Sequence, residues 1–141
     1  MELLPAERNV RIEQLRTPLT ERQLAGHDGT VIFVERDRVT SVLPILPFGH
    51  LIRQLHRQAA RQGSVSLLSA RITPDAAPLA VAFIKGTEST FELLTIAARA
   101  WKELSAAMPE KVLFAAPHIE GPIAARLMEA MVAAALAGAA P

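Results

Sequence analysis

The chain has 141 residues, half of them hydrophobic, and its 15 lysines and arginines against 14 acidic residues give a net charge of +1. This length and composition predict a single domain over residues 1–141, whose core buries roughly two thirds of the surface that the unfolded chain exposes. Because the sequence contains no cysteine, disulfides, cysteine-based metal sites and a thiol nucleophile are excluded.

The sequence lacks the patterns that predict secretion or membrane insertion. Acidic residues Glu2 and Glu7 stand where a secretory signal would be basic, and no segment approaches the ~18 apolar residues of a membrane span. We therefore expect a cytoplasmic protein with no membrane partner.

The first half of the chain predicts strands around one long helix. In chain order these elements are a short edge strand at Val10–Arg16, a helical turn at Thr20–Leu24, a strand at Thr30–Arg36 and an amphipathic helix at Gly49–Gln62. Pro44 and Pro47 argue against a helix before Phe48, and Gly63 ends the helix that follows.

The second half predicts a strand pair and then a βαβ unit. Its elements are strands at Ser64–Ile72 and Leu79–Lys85, a helix from Ser89, a strand at Lys111–Pro117 and a helix from Pro122 to Gly138. Ser89 and Glu92 have capping-box spacing. The expected buried stripe of the first of these helices comprises Phe91, Leu94, Ala98, Trp101, Leu104 and Met108.

Strands that alternate with helices predict an α/β fold, here a three-layer αβα domain with a mixed, mostly parallel sheet of about five strands. The continuously apolar later strands indicate coverage on both faces. The strands before the βαβ unit are close enough in sequence to form an antiparallel hairpin. We count five strands and three main helices.

Several segments together resemble one family. They are TVIFVER, the helix entry LPFGHLIRQL, the strand and helix AVAFIKGTESTFELLTIAARAWKEL, the strand KVLFAAP and the final helix. Their order resembles the N-terminal, macro-domain-like domain of the leucyl (cytosol) aminopeptidases. In that family the strand before the first long helix usually ends in a Gly-x-Gly turn, and here only the second glycine, Gly86, is kept.

The resemblance implies a domain that is not itself catalytic. In these aminopeptidases two divalent metal ions, zinc or manganese, sit in a separate C-terminal domain with an Asn-Thr-Asp-Ala-Glu-Gly-Arg signature, which this chain lacks. No family catalytic or metal residue matches Asp28, Asp37 or Asp75. The resemblance therefore implies an assembly, access or recognition role beside a metal-dependent peptidase domain, with no cofactor in this chain.

The histidines do not form a recognisable metal motif. His50 and His56 are six residues apart and fall on different faces of one helix, which separates them as ligands. His118 and Glu120 could come together at a strand end, although a solvent-exposed loop is the simpler interpretation. His27 stands alone in sequence. We expect neither a catalytic nor a metal site.

Two other functions stay open as alternatives. The turn with Lys85, Gly86, Thr87 and Ser89 could receive a phosphate at a helix N-terminus, as in a nucleotide or ADP-ribose module, although Glu88 places an anion there. Simple helix capping is the other interpretation of this turn.

The second alternative is nucleic-acid binding through a basic stripe. Arg53, Arg57 and Arg61 recur every four residues, and Val39–Pro74 contains no acidic residue. Such a stripe can contact phosphates or an acidic partner, and it is also compatible with an ordinary solvated helix face.

The C-terminal helix predicts a partner. From Ala130 to Pro141 there is no polar side chain, whereas a helix on one face of a sheet normally presents a polar side to water. We expect residues 122–140 to pack on a C-terminal peptidase domain or another subunit, which favours a homo-oligomer. Met128, Val132, Ala135 and Leu136 are the expected contact residues.

Overall fold

The structure is a computed structural model that describes residues 11–15, 19–71, 73, 75–107 and 109–139. Its strands are β1 (Arg11–Leu15), β2 (Gly29–Glu35), β3 (Leu67–Ala70), β4 (Leu79–Ile84) and β5 (Lys111–Ala115). Its helices are α1 (Glu21–Ala25), α2 (Val39–Val42), α3 (Gly49–Ala60), α4 (Thr90–Ser105) and α5 (Pro122–Ala139).

The five strands form one sheet in the order β1-β5-β2-β4-β3. Strands β1, β5, β2 and β4 run parallel to one another, and the edge strand β3 pairs antiparallel with β4. The predicted α/β class, the hairpin and the edge position of the first strand are therefore confirmed. The strand predicted at Ser64–Ile72 is shorter than expected, although Ile72 lies outside the described residues.

Helices cover both faces of the sheet because side chains of a strand alternate in direction. In β2, Val31 and Phe33 belong to the cluster with α4 and α5. Their neighbours Ile32 and Val34 belong to the cluster on the opposite face, which includes Ile52 of α3. The buried strands thus form the middle of the three predicted layers.

The expectation of no helix before Phe48 is wrong. Helix α2 lies between two 3₁₀ turns, Arg36–Arg38 and Leu43–Ile45, and Pro44 sits in the first turn of the second. Proline is compatible with that position because the N–H that it lacks would have no intrahelical acceptor there.

The packing of α4 differs from the predicted stripe. Its capping box is present, since Ser89 Oγ accepts a hydrogen bond from Glu92 N and Glu92 Oε1 accepts one from Ser89 N. Trp101 and Leu104 are buried as predicted, whereas Phe91, Leu94 and Ala98 are exposed. The remaining buried positions are Leu93, Ala97 and Ala100, and Met108 lies outside the described residues.

Helix α5 begins at Pro122 as predicted and packs beside α4. Leu127, Met131 and Ala134 face the core. Of the expected contact residues, Ala135 is buried in the core, Met128 and Val132 are half-buried, and Leu136 is exposed. Helix α5 therefore exposes fewer apolar side chains than the sequence predicts. No helix in the described part of the chain is long and apolar enough to cross a bilayer.

Candidate functional site

The predicted anion site lies in the turn between β4 and α4, and Glu88 occupies it. Glu88 Oε2 accepts a hydrogen bond from Lys85 N at 2.7 Å, and Oε1 accepts one from Gly86 N at 2.8 Å. Glu88 is buried, with only 7 % of its surface exposed. The chain's own carboxylate thus takes the N–H groups that a bound phosphate would use.

A second contact fixes this turn against α5. Arg126 Nη2 donates to the Glu88 carbonyl oxygen and to Thr90 Oγ1, each at 3.2 Å. Gly86 adopts a φ of 95°, in the region that favours glycine. Ser89 is engaged in the cap of α4. The turn is therefore held by capping contacts, and anion binding there stays a prediction.

The basic stripe lies on the solvent face of α3. Arg53, Arg57 and Arg61 are all exposed, and in the described ranges none of them makes an ion pair or a hydrogen bond. His50 is exposed on the same helix, whereas His56 is half-buried with its ring 5.1 Å from the Phe83 ring. The two histidines therefore point in different directions, as their spacing indicates.

A charged cluster that the sequence did not reveal ties β1 to α1 and β5. His27 Nδ1 lies 2.6 Å from the Gln23 carbonyl oxygen, and His27 Nε2 lies 3.0 Å from Glu13 Oε2. Both partners are acceptors, so both bonds form only when both ring nitrogens donate. Lys111 Nζ lies 3.6 Å from the other Glu13 oxygen.

This cluster stabilises the ionised form of Glu13. The hydrogen bond from His27 lowers the pKa of the Glu13 carboxyl below its usual range, and the positive charge of Lys111 adds to the effect. Glu13 and His27 are 14 positions apart, and only the fold brings them together. No sequence motif signals such a pair.

The remaining acidic candidates have structural partners or lie in solvent. Asp28 Oδ2 accepts hydrogen bonds from Glu110 N and Lys111 N at 3.0 and 2.9 Å, which fixes the start of β5. His118 and Glu120 are exposed in the β5–α5 loop. Within the described ranges, no three His, Asp or Glu side chains are grouped so that they could hold a metal ion.

A cleft of about 980 Å³ opens where β1 and β5 end. The chain leaves β1 toward Leu19 and Leu24, which pack on one face of the sheet. It leaves β5 toward α5, which packs on the other face. In open α/β sheets, ligands bind at such a switch point, outside the carboxyl ends of the strands. No local pattern in the sequence predicts this cleft.

Comparisons with known protein families, with characterised proteins and with solved structures found no match to this chain. The resemblance to the leucyl aminopeptidase N-terminal domain therefore stays a prediction that depends on the sequence segments alone.

Proposed function

We propose that this chain is a non-catalytic domain of the kind found N-terminal to metal-dependent leucyl aminopeptidase domains, acting in the cytoplasm in assembly, access or recognition. The segments that resemble that family supply β2, the start of α3, β4 with α4, β5 and α5. They are therefore contiguous in space and make up most of the core, which is the part of a domain that sequence similarity usually preserves.

The observation that carries the proposal is the set of large apolar side chains left open on the α4/α5 layer. Phe91 is 77 % exposed and Leu136 is 69 % exposed, with Leu94 exposed beside Phe91 on α4. Exposed aromatic and aliphatic anchors are typical of surfaces that another domain or subunit covers. A second copy of the chain or a peptidase domain would bury them.

Sedimentation of the 141-residue chain at micromolar concentration tests the assembly role. We expect a dimer or higher oligomer, and we expect the double variant Phe91→Glu with Leu136→Glu to be a folded monomer, because both side chains lie outside the core. Ala60→Glu is the matched control, since Ala60 is exposed on α3 across the sheet. A monomeric native chain that also fails to bind a purified leucyl aminopeptidase catalytic domain would contradict the proposal.

Nucleic-acid binding is a second candidate, favoured by the exposed and unopposed Arg53, Arg57 and Arg61. Neutralising three phosphates would give a slope of about −2.7 for log K against log salt. We expect the triple Arg→Gln variant to abolish this slope on a random duplex, and Arg99→Gln, at an exposed position on α4, to leave it unchanged. Equal binding to polyglutamate would indicate an acidic protein partner instead.

A nucleotide or ADP-ribose ligand at the β4–α4 turn is the third possibility. Such a ligand would have to displace the Glu88 carboxylate from Lys85 N and Gly86 N. No contact in this turn favours that exchange.

A further inference from the structure

The cleft at the carboxyl ends of β1 and β5 has the size and position of a small-molecule site. Its volume of about 980 Å³ is near the upper end of the roughly 300–1,000 Å³ common for ligand pockets. It lies where the connections that follow the neighbouring strands β1 and β5 leave the sheet on opposite faces, which leaves a gap between them. None of the functions proposed above uses it.

Small side chains make the inner surface of this cleft accessible. Ala115 and Ala116 line it at the end of β5, and Gly121 and Ala124 line it at the start of α5. With no longer side chain at these positions, a ligand can approach the backbone of the β5–α5 loop closely.

Larger apolar side chains form the walls. Leu46 and Ile119 are buried, and Ile45 is 60 % exposed at the rim although it is fully apolar. An isoleucine open to water beside a cavity provides surface that an apolar ligand would remove from solvent. The walls therefore favour a ligand with a hydrophobic body.

The β5–α5 loop holds its shape through two residues with positive φ. His118 has a φ of 63° and Gly121 a φ of 76°, and the bonds Ile119 N to Ala116 O and Ala124 N to Gly121 O close the loop on either side. As a result Ile119 turns inward and Glu120 stays exposed at the rim. A non-glycine residue in the left-handed region is uncommon.

The described lining of the cleft carries one formal charge, which is negative. Among the described residues that line it, Glu120 is the only acidic one, and none is a lysine or an arginine. Gln14 and His118 supply the other polar side chains. The nearest arginine in sequence, Arg126, is directed to Glu88 and Thr90 instead.

We propose that this cleft binds a small amphipathic amine. Its apolar body packs against Ile45, Leu46 and Ile119, and its ammonium group pairs with the Glu120 carboxylate. A ligand carboxylate or phosphate is disfavoured because the only formal charge among the described lining residues is negative.

The charge requirement can be measured with three probes of one shape: phenylpropylamine, phenylpropanol and phenylpropanoate. Each is titrated into the full chain while the backbone amide resonances are followed by NMR. We expect shifts confined to the amides around the cleft, at residues 45–46, 115–116, 118–121 and 124–128. The amine should bind about fivefold more tightly than the alcohol, as expected for one partly solvated ion pair, and the carboxylate more weakly than either.

Two variants test the charged part and the apolar part of the site separately. Glu120→Gln should reduce the affinity for the amine to that for the alcohol, and Ala125→Leu should fill the cleft and abolish binding of both. Glu103→Gln, exposed on α4, and Ala133→Leu, exposed further along α5, are matched controls that should change neither. The proposal is wrong if the amine shifts no amide of the cleft, if the carboxylate binds as tightly as the amine, or if Ala125→Leu has no effect.

Discussion

At the scale of single residues, Glu88 determines what the β4–α4 turn can do. Its carboxylate satisfies Lys85 N and Gly86 N, so removing it leaves two N–H groups without their acceptor. We expect Glu88→Ala to lower the free energy of unfolding by about 1–3 kcal/mol. Added sulfate should stabilise the variant more than it stabilises the native chain, because the freed N–H groups form an anion site in addition to the general effect of sulfate on folded proteins.

Urea unfolding with and without sulfate measures both effects. Glu129→Ala, at an exposed acidic position on α5, is the control for a change in net charge alone. A Glu88→Ala variant that is as stable as the native chain, and that sulfate stabilises no more than it stabilises the native chain, would show that the carboxylate does not hold the turn.

Trp101 provides a second prediction at this scale. It is 4 % exposed, and its Nε1 has no hydrogen-bond partner in the described residues. Trp101→Ala should cost about 3–5 kcal/mol through lost burial and a cavity. Trp101→Phe should cost only about 1–2 kcal/mol, since it removes some ring area and no hydrogen bond.

Chemical denaturation of both variants checks the ranking, and a blue-shifted native emission from the only tryptophan checks the burial. If Trp101→Phe is as damaging as Trp101→Ala, the indole N–H has a partner that stabilises the fold. A red-shifted emission would mean that the helix face is assigned wrongly.

At the scale of elements, the sequence predicts helix α4 correctly. Half of the residues predicted for its buried face are nevertheless exposed in the structure. The capping pair Ser89 and Glu92 locates the start of the helix, because that motif is local. The face is harder to assign because apolar residues occupy several overlapping stripes. The structure buries the small side chains of Ala97 and Ala100 and leaves the larger Phe91 in solvent. Spacing alone therefore does not decide which of the overlapping stripes is buried.

The edge strand β1 carries a pH-dependent prediction. The pKa of Glu13 is lowered first by the His27 hydrogen bond and then by Lys111. A carboxyl whose pKa is lower in the folded state contributes stability above its unfolded pKa, and that contribution is lost as the pH falls through the folded pKa. The native chain should therefore be more stable than Glu13→Gln at pH 7, and the difference should vanish in acid, below the ordinary glutamate pKa of 4.5.

Urea midpoints of the two chains across the acid range measure this difference directly. Glu21→Gln, exposed on α1, is the control for the loss of one negative charge. A difference that persists unchanged in acid would mean that the contribution of Glu13 does not depend on its charge.

At the scale of the whole molecule, the strands and their layers could be predicted, whereas the cleft could not. Continuous apolar runs such as Val31–Val34 identify buried parallel strands without reference to any partner. The cleft, by contrast, combines Leu46 with Ile119, which are far apart in the chain. Its position depends on β5 lying between β1 and β2, and strand order has no local signature in the sequence.

The last prediction concerns the activity of the chain by itself. Metal-dependent peptide hydrolysis requires a metal ion that polarises the carbonyl and activates a water, and the sequence supplies no cysteine, only three aspartates and no histidines at a ligand spacing. His118 and Glu120 lie in the β5–α5 loop, where both are exposed. We therefore expect the purified 141-residue chain to release no amino acid from leucyl anilide or leucyl dipeptides, with or without zinc or manganese. Turnover that needs the metal, survives repurification and disappears in both His118→Ala and Glu120→Gln would contradict this and would make the β5–α5 loop a catalytic site.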